Sequence, residues 1–242
     1  MPVPGLPEFE QGTSIGVEVA ASADLADGDV VVVSQKVVSK AEGRVRRLSS
    51  VVPGAEALRL AAALDKEPAL VQLILDESRE VLRTERGVLI AETRHGFVCA
   101  NAGIDSSNLP DAGTVALLPE EPDASARRIR AEIEASSRRR VAVVVADSFG
   151  RAWRLGQSEV AIGCAGLVPL DDWRGREDAE GRALEATQIA VADEAAAAAD
   201  LVRDKASRTP VAIVRGLDRF VTDADGPGAA ALRRPRDEDL FR

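Results

Sequence analysis

The chain has 242 residues, of which 45% are hydrophobic and 29% are charged, and its formal net charge at pH 7 is -9. This composition supplies enough apolar side chain for a buried core, and it excludes an intrinsically disordered or collagen-like chain. The acidic balance disfavours a general nucleic-acid binder, which needs a basic surface, but it leaves room for a local basic pocket that binds one small anion.

The sequence lacks the signals of membrane insertion and secretion. No apolar run reaches the roughly 18–20 residues of a membrane span, and segment 1–12 lacks the basic and apolar parts of a secretory signal. The two cysteines, Cys99 and Cys164, are far apart and form no CxxC pair, so neither a zinc finger nor a disulfide scaffold is expected. We therefore expect a soluble cytoplasmic protein.

The first half of the chain predicts a strand, two helices and three short strands. The valine run at 30–33, continued at 37–38, predicts a buried strand that emerges at 34–36. Apolar residues at helical spacing over 54–81 predict two helices separated at Pro68. The three short strands are expected at 87–91, 96–100 and 114–118.

The second half adds two helices and two strands. They are predicted as a helix over 124–137, an apolar strand from 140, a long helix over 184–202 and a last strand over 210–214. Segment 223–236 is rich in Gly, Pro and charge and is expected to run over the surface. Because helices and strands do not alternate regularly, we predict an α+β fold, a single intertwined mixed-sheet domain over residues 1–242.

Familiar nucleotide and hydrolase motifs are missing from the sequence. No GxxxxGK[ST] is present and no GxGxxG follows a strand, so the chain is neither a P-loop nor a Rossmann protein. No GxSxG elbow is present either. His95 is the single histidine, so a bound metal must rely on oxygen ligands, the donors that Mg²⁺, Mn²⁺ and Ca²⁺ prefer.

Three polar clusters lie directly against apolar strands. The first contains Gln35, Lys36 and Lys40, whose charges and hydrogen-bonding groups suit a nucleotide phosphate. The same residues also fit a solvated strand end whose lysines discourage edge pairing. The residues alone leave both alternatives open.

The second cluster is the segment NAGIDSSN at 101–108. Its Gly, Asn, Asp and Ser residues are typical of an ordinary turn, which the pattern alone favours. Asp105 and Asn108 also supply a carboxylate and an amide that suit a metal–phosphate group.

The third cluster follows the apolar strand that begins at 140. Asp147 and Ser148 place a carboxylate and a hydroxyl at the end of a buried strand, an arrangement that suits Mg²⁺ bridged to phosphate. Arg151 and Arg154 then suit phosphate or carboxylate oxygens. A strand-end turn in which Asp147 pairs with an arginine fits the pattern equally well.

Together these clusters belong to five segments that occur in the order seen in one family. The segments are GLPEF (5–9), DGDVVVVSQKVVSKAEGR (27–44), ANAGIDSSN (100–108), ADSFGRAWRLGQSEVAIGCAGL (146–167) and VADEAAAAADLV (191–202). From residue 5 to about 216 the chain resembles the coenzyme F420-0:L-glutamate ligase family, which includes the N-terminal domain of the bifunctional actinobacterial enzyme.

The resemblance implies an activity. GTP would phosphorylate the terminal carboxylate of F420-0, and the amine of L-glutamate would displace phosphate from the acyl phosphate to form an amide, with further γ-linked additions. It also implies two Mg²⁺ or Mn²⁺ ions per site and a homodimer. The alternatives are another nucleotide-dependent carboxylate–amine ligase on the same scaffold, or a non-catalytic module that binds a nucleotide or a deazaflavin.

The resemblance also assigns residues. Asp105 and Asp147 match carboxylates that hold one divalent ion, and Ser148 matches a hydroxyl that serves the second ion. Arg151 and Arg154 are assigned to anionic substrate groups as the catalytic arginines. The nucleotide-binding positions are Leu6, Pro7, Glu8, Phe9, Gln35, Lys40 and Asn108.

One position departs from the family pattern. Lys205 stands where some members carry an acidic ligand of the second ion. Asp204, water or a substrate phosphate would then have to complete that ligand set.

Overall fold

The computed structural model describes residues 1–107, 109, 111–203 and 207–240. Within these residues the chain forms six α-helices and eleven β-strands. The helices are α1 (Ile15–Ser22), α2 (Gln35–Ala41), α3 (Ala55–Leu64), α4 (Pro68–Asp76), α5 (Pro122–Ser137) and α6 (Val191–Asp200). The strands are β1 (Val30–Ser34), β2 (Val45–Arg47), β3 (Ser78–Glu85), β4 (Val88–Thr93), β5 (Val98–Ala100), β6 (Thr114–Ala116), β7 (Ala142–Arg151), β8 (Arg154–Ala165), β9 (Asp171–Asp172), β10 (Gln188–Ile189) and β11 (Val211–Val214).

A four-stranded mixed sheet forms the centre of the fold, in the order β11-β1-β7-β8. β1 is parallel to β7 and antiparallel to β11, and β7 and β8 form an antiparallel pair. Alternate residues of β1 and β7 belong to two separate apolar clusters, one with α1 and α5 and the other with α6. Because both faces are covered, these strands are continuous runs of apolar residues rather than alternating ones.

A smaller antiparallel sheet, β3-β4-β5, packs against α3 and α4 around a third apolar cluster. The two sheets are linked just after β6. There Leu117 belongs to the small cluster while its neighbour Leu118 belongs to the central one. This link brings the segment between β5 and β6 next to the central sheet.

The β7–β8 pair continues beyond the rest of the central sheet as a two-stranded ribbon. β1 ends at Ser34, opposite Ala146, whereas β7 continues to Arg151. Asp147 therefore lies one residue beyond the parallel pairing of β7 with β1, at the carboxyl end of β1. In open sheets with parallel strands this edge is where ligands commonly bind.

The α+β, mixed-sheet prediction is confirmed, and so are two helices separated at Pro68 and a helix ending at 137. The strand predicted over 30–38 is wrong after Ser34, because Gln35 begins α2 and its buried amide group donates to Ser39 and to the carbonyl of Leu117. The single-domain assignment stays a prediction.

The helix predicted over 184–202 is also too long. Residues 188–189 form the short strand β10, and α6 begins at Val191. The prediction missed α1, β3 and the twelve-residue strand β8. Across the described residues, no helix combines the length and the apolar composition needed to cross a bilayer.

A glycine in β8 allows α5 to approach the sheet. A Cβ atom added at Gly163 would lie 2.3 Å from the carbonyl oxygen of Pro122, in the first turn of α5. We expect Gly163→Ala to lower the free energy of unfolding by at least about 1 kcal/mol, because backbone atoms must move. Urea unfolding checks this, with Gly150→Ala as the control, since a Cβ there meets nothing within 4 Å. Equal losses in both variants would contradict the close approach.

Candidate active site

Asp105 lies in a network of donors next to the end of β1. Its carboxylate accepts hydrogen bonds from the Lys36 ammonium group at 2.7 Å and from the backbone N–H of Ser107 at 2.7 Å. Burial alone would raise the pKa of Asp105, but these donors outweigh it and hold the pKa below its ordinary value. Asp105 is therefore a carboxylate at neutral pH.

A turn whose residues have positive φ angles precedes Asp105 and directs it toward Ala116. Asn101, Ala102 and Gly103 have φ values of 53°, 51° and 72°, a left-handed conformation that asparagine and glycine tolerate but that is unfavourable for Ala102. After the turn, the backbone N–H and carbonyl of Asp105 both bond to Ala116, at 3.1 and 2.8 Å. Strained backbone of this kind concentrates at functional sites.

Asp147 is the acid of the site whose negative charge is offset least by neighbouring groups. Burial raises its pKa to about 7, and the negative charges of Glu159 and Asp105 act in the same direction, while the Ser148 backbone N–H and the Lys36 charge act against them. Among the described residues no cation forms an ion pair with Asp147. The two sequence-predicted carboxylates, Asp105 and Asp147, are therefore close enough to repel each other.

Ser148 lies on the opposite face of β7 from Asp147, because successive side chains of a strand alternate. Its hydroxyl donates to Glu159 at 2.7 Å, directly across the β7–β8 pair. Glu159 also accepts a hydrogen bond from Arg203 at 2.9 Å, and both side chains are 7% exposed. The role of Ser148 toward a second ion stays a prediction.

Two of the predicted nucleotide-binding residues are joined by an ion pair. The Lys40 ammonium group contacts the carboxylate of Glu8, and Lys40 lies one turn after Lys36 on the same face of α2. Lys36 and Lys40 therefore form a short basic ridge beside the acids. This ridge suits the phosphates of a nucleotide.

The other predicted nucleotide-binding residues differ in accessibility. Phe9 is buried in the central core and Leu6 packs against it, whereas Pro7 is exposed. Gln35 is 1% exposed, and its amide nitrogen is occupied by Ser39 and Leu117. In this conformation Gln35 braces the junction of β1 and α2, and its contact with a nucleotide stays a prediction.

The two predicted catalytic arginines lie at the tip of the β7–β8 ribbon. Arg151 donates to the carbonyl of Leu155 at 2.6 Å, and both Arg151 and Arg154 are exposed. Arg151 follows Asp147 by four residues, or about 13 Å along a strand. The structure thus separates these arginines from the acids, and their catalytic role stays a prediction.

Sequence reasoning missed the roles of three residues. Lys36 is bound to Asp105, and Glu159 and Arg203 form the buried pair next to Ser148. Strand alternation would have placed Glu159 opposite Ser148 had β8 been predicted. The assignments made for Asn108, Asp204 and Lys205 fall outside the described residues.

The acids fit a hard cation that arrives with a substrate. In the described part of the chain, no three His, Cys, Asp or Glu side chains form a ready-made metal cage. Mg²⁺, however, is usually held by one or two carboxylates together with substrate phosphates. Asp105 and Asp147 supply two hard oxygen donors, and burial together with the charges of Glu159 and Asp105 raises the pKa of Asp147, so a positive charge placed beside Asp147 would favour its ionised form.

The raised pKa of Asp147 predicts that, without a bound metal, the free energy of unfolding decreases as the pH rises. In the folded state Asp147 keeps its proton up to about pH 7, whereas its ordinary pKa is 3.8. Between these values the unfolded chain binds fewer protons, so stability falls as the pH rises. We expect Asp147→Asn to be more stable than the wild type by roughly 1–3 kcal/mol at about pH 8, and by less at about pH 5.

Urea unfolding in the presence of a chelator measures both values. The stability advantage of Asp147→Asn over the wild type should be larger at about pH 8 than at about pH 5. An advantage of the same size at both pH values would contradict the buried environment assigned to Asp147.

Comparison with known proteins places the chain in a family. The profile of the F420-0:gamma-glutamyl ligase family matches residues 5–216. A protein of Methanothermobacter thermautotrophicus named Coenzyme F420:L-glutamate ligase is 44% identical, covering 99% of this chain and 97% of its own. Proteins of the same name from Methanocaldococcus jannaschii and Haloarcula marismortui are 41% and 44% identical, covering 98% and 99% of this chain and 94% of each relative. The chain therefore belongs to the F420-0:gamma-glutamyl ligase family, as its five sequence motifs predict.

Proposed function

We propose that the protein is a GTP-dependent ligase that forms an amide bond between F420-0 and L-glutamate and can add further γ-linked glutamates. Its family membership and the names of its relatives support the ligase activity. The observation that carries the proposal is the cluster of Asp105, Asp147 and Lys36 at the carboxyl end of β1. This cluster lies within the segment that the family profile matches.

The reaction requires activation because a carboxylate is a poor electrophile. The γ-phosphoryl group of GTP is transferred to the carboxylate oxygen of the acceptor, and GDP leaves. The amine of L-glutamate then attacks the acyl carbon, phosphate leaves with the former carboxylate oxygen, and the amine releases a proton. Positioning and charge neutralisation contribute most of the catalysis in phosphoryl transfer.

Asp105 and Asp147 are the residues that would hold a divalent ion. When bound, Mg²⁺ or Mn²⁺ supplies positive charge that offsets the phosphate oxygens. Lys36, released from Asp105, and Lys40, released from Glu8, can each donate to a phosphate oxygen from one face of α2. For a second ion, Ser148 is the described candidate ligand.

Two further features belong to the proposal. Arg151 and Arg154 would contact anionic substrate groups if the substrate extends along the β7–β8 ribbon. A homodimer is also proposed, and the ribbon tip offers a surface for it, because Trp153 and Leu155 are 76% and 97% exposed. Exposed apolar side chains of this size are common at protein contacts.

The decisive experiment is a mass-resolved assay of F420-0 with L-glutamate and GTP, with and without a divalent metal. We expect glutamylated product and GDP with the metal and neither without it. Asp147→Asn and Asp105→Asn should lose most of the turnover while remaining folded, and Asp76→Asn, an exposed acid at the end of α4, should keep it.

Each alternative predicts a different result. Phosphate release that requires another acceptor would indicate a different ligase on the same scaffold. Nucleotide binding without phosphate release, with all substrates present, would indicate a non-catalytic module. Full activity of Asp147→Asn at limiting Mg²⁺ would remove this residue from the metal site.

Lys40 allows a separate test of the nucleotide site. We expect Lys40→Ala to weaken GTP binding about tenfold, because one charged donor to a phosphate is lost. Equilibrium titration measures the affinity, and Lys66→Ala, which removes the same charge beside α4, is the matched control. Equal affinity of the Lys40 variant and the wild type would exclude Lys40 from the site.

A further inference from the structure

A charged cavity, none of whose lining residues belongs to the candidate active site, lies between the small sheet and the C-terminal segment. It has a volume of about 700 Å³, within the range of small-molecule sites. We call it the arginine groove, after the residues that line it: Arg79, Glu80, Glu92, Arg233, Arg234 and Arg236.

The arginine groove has an excess of positive charge. Glu80 pairs with Arg236 at 2.5 Å, and Glu92 pairs with Arg236 at 2.9 Å and with Arg79 at 3.8 Å, so two arginines offset these two acids. Glu92 is 5% exposed and lies at the floor of the groove. Arg233 and Arg234 have no carboxylate partner among the described residues. On a chain of net charge -9, this local surplus favours an anionic ligand.

A row of rings connects the groove to the candidate active site. Gly96 lines the groove, and its neighbour Phe97 contacts Phe149 edge to face, with a centroid separation of 6.1 Å. Phe149 follows Asp147 by two residues on the same face of β7, or about 7 Å along the strand. These contacts place Gly96 within roughly 20–25 Å of Asp147.

We propose that the arginine groove binds the free α-carboxylates of a γ-linked glutamate chain while the end of that chain reacts beside Asp147. This inference rests on the proposed function. A γ-linkage leaves one α-carboxylate free on every unit, and each extended unit spans about 6 Å. A chain of at most about four units therefore reaches from the acids to the groove, where Arg233 and Arg234 can each pair with a carboxylate.

Binding can be measured without catalysis. Calorimetric titration with tri-γ-glutamate at low salt, with GTP absent, should show saturable binding that is tighter than binding of free glutamate. We expect Arg233→Ala/Arg234→Ala to lower this affinity at least about tenfold. Arg139→Ala is the matched control, because this exposed arginine lies near the opposite end of β7.

Two results would overturn the proposal. One is equal affinity of the double variant and the wild type, including no binding by either. The other is displacement of tri-γ-glutamate by inorganic phosphate at equal concentration, which would indicate a general anion site.

The chain length of the product separates this inference from the proposed function. Where the wild type makes a tail, the double variant should retain the first glutamate addition and make a shorter tail. An unchanged tail would contradict the groove assignment. Failure of the wild type to add any glutamate would instead refute the proposed function, and the titration would still decide whether the groove binds the tail.

Discussion

The unbalanced charge around Asp147 is the constraint on which the candidate site depends. Asp105 is paired with Lys36 and Glu159 with Arg203, but among the described residues no cation pairs with Asp147. Burial and two neighbouring acids raise its pKa to about 7. A folded protein retains such an arrangement at a cost in stability, and perturbed acids of this kind are typical of functional sites.

The surrounding fold supplies the rigidity that this arrangement requires. Repulsion between carboxylates would be relieved by a small movement if the acids lay on flexible loops. Asp147 instead continues a strand whose preceding residues are fully buried between two helical layers. Asp105 is held by a strained turn and by two backbone bonds to Ala116. The site therefore cannot relax easily by movement, and either protonation of Asp147 or a bound cation would lower its energy.

Patterns of apolar residues predicted the helices and strands that pack directly on the hydrophobic core. The valine runs of β1 and β7 and the helical spacing of α3 to α5 are local signals of structures that pack on the core. β8 was missed because its first half, in the solvated ribbon, is polar and contains Gly156. The start of α2 was missed because Gln35 is fixed by the distant carbonyl of Leu117, which no local pattern records.

The residues of the candidate site also divide into those with a local sequence signal and those that are fixed by contacts with distant parts of the chain. Asp147 continues the apolar run of β7, and Asp105 and Lys40 lie within six residues of the ends of β5 and β1, so their positions could be predicted from the sequence order and the family resemblance. Glu159 and Arg203 depend on strand register and on a contact across 44 residues. The arginine groove joins β3 to a C-terminal segment expected to run over the surface. Because an acidic chain repels anions at long range, the attraction that the proposed anionic ligands need must come from such local groups, which sequence order alone does not bring together.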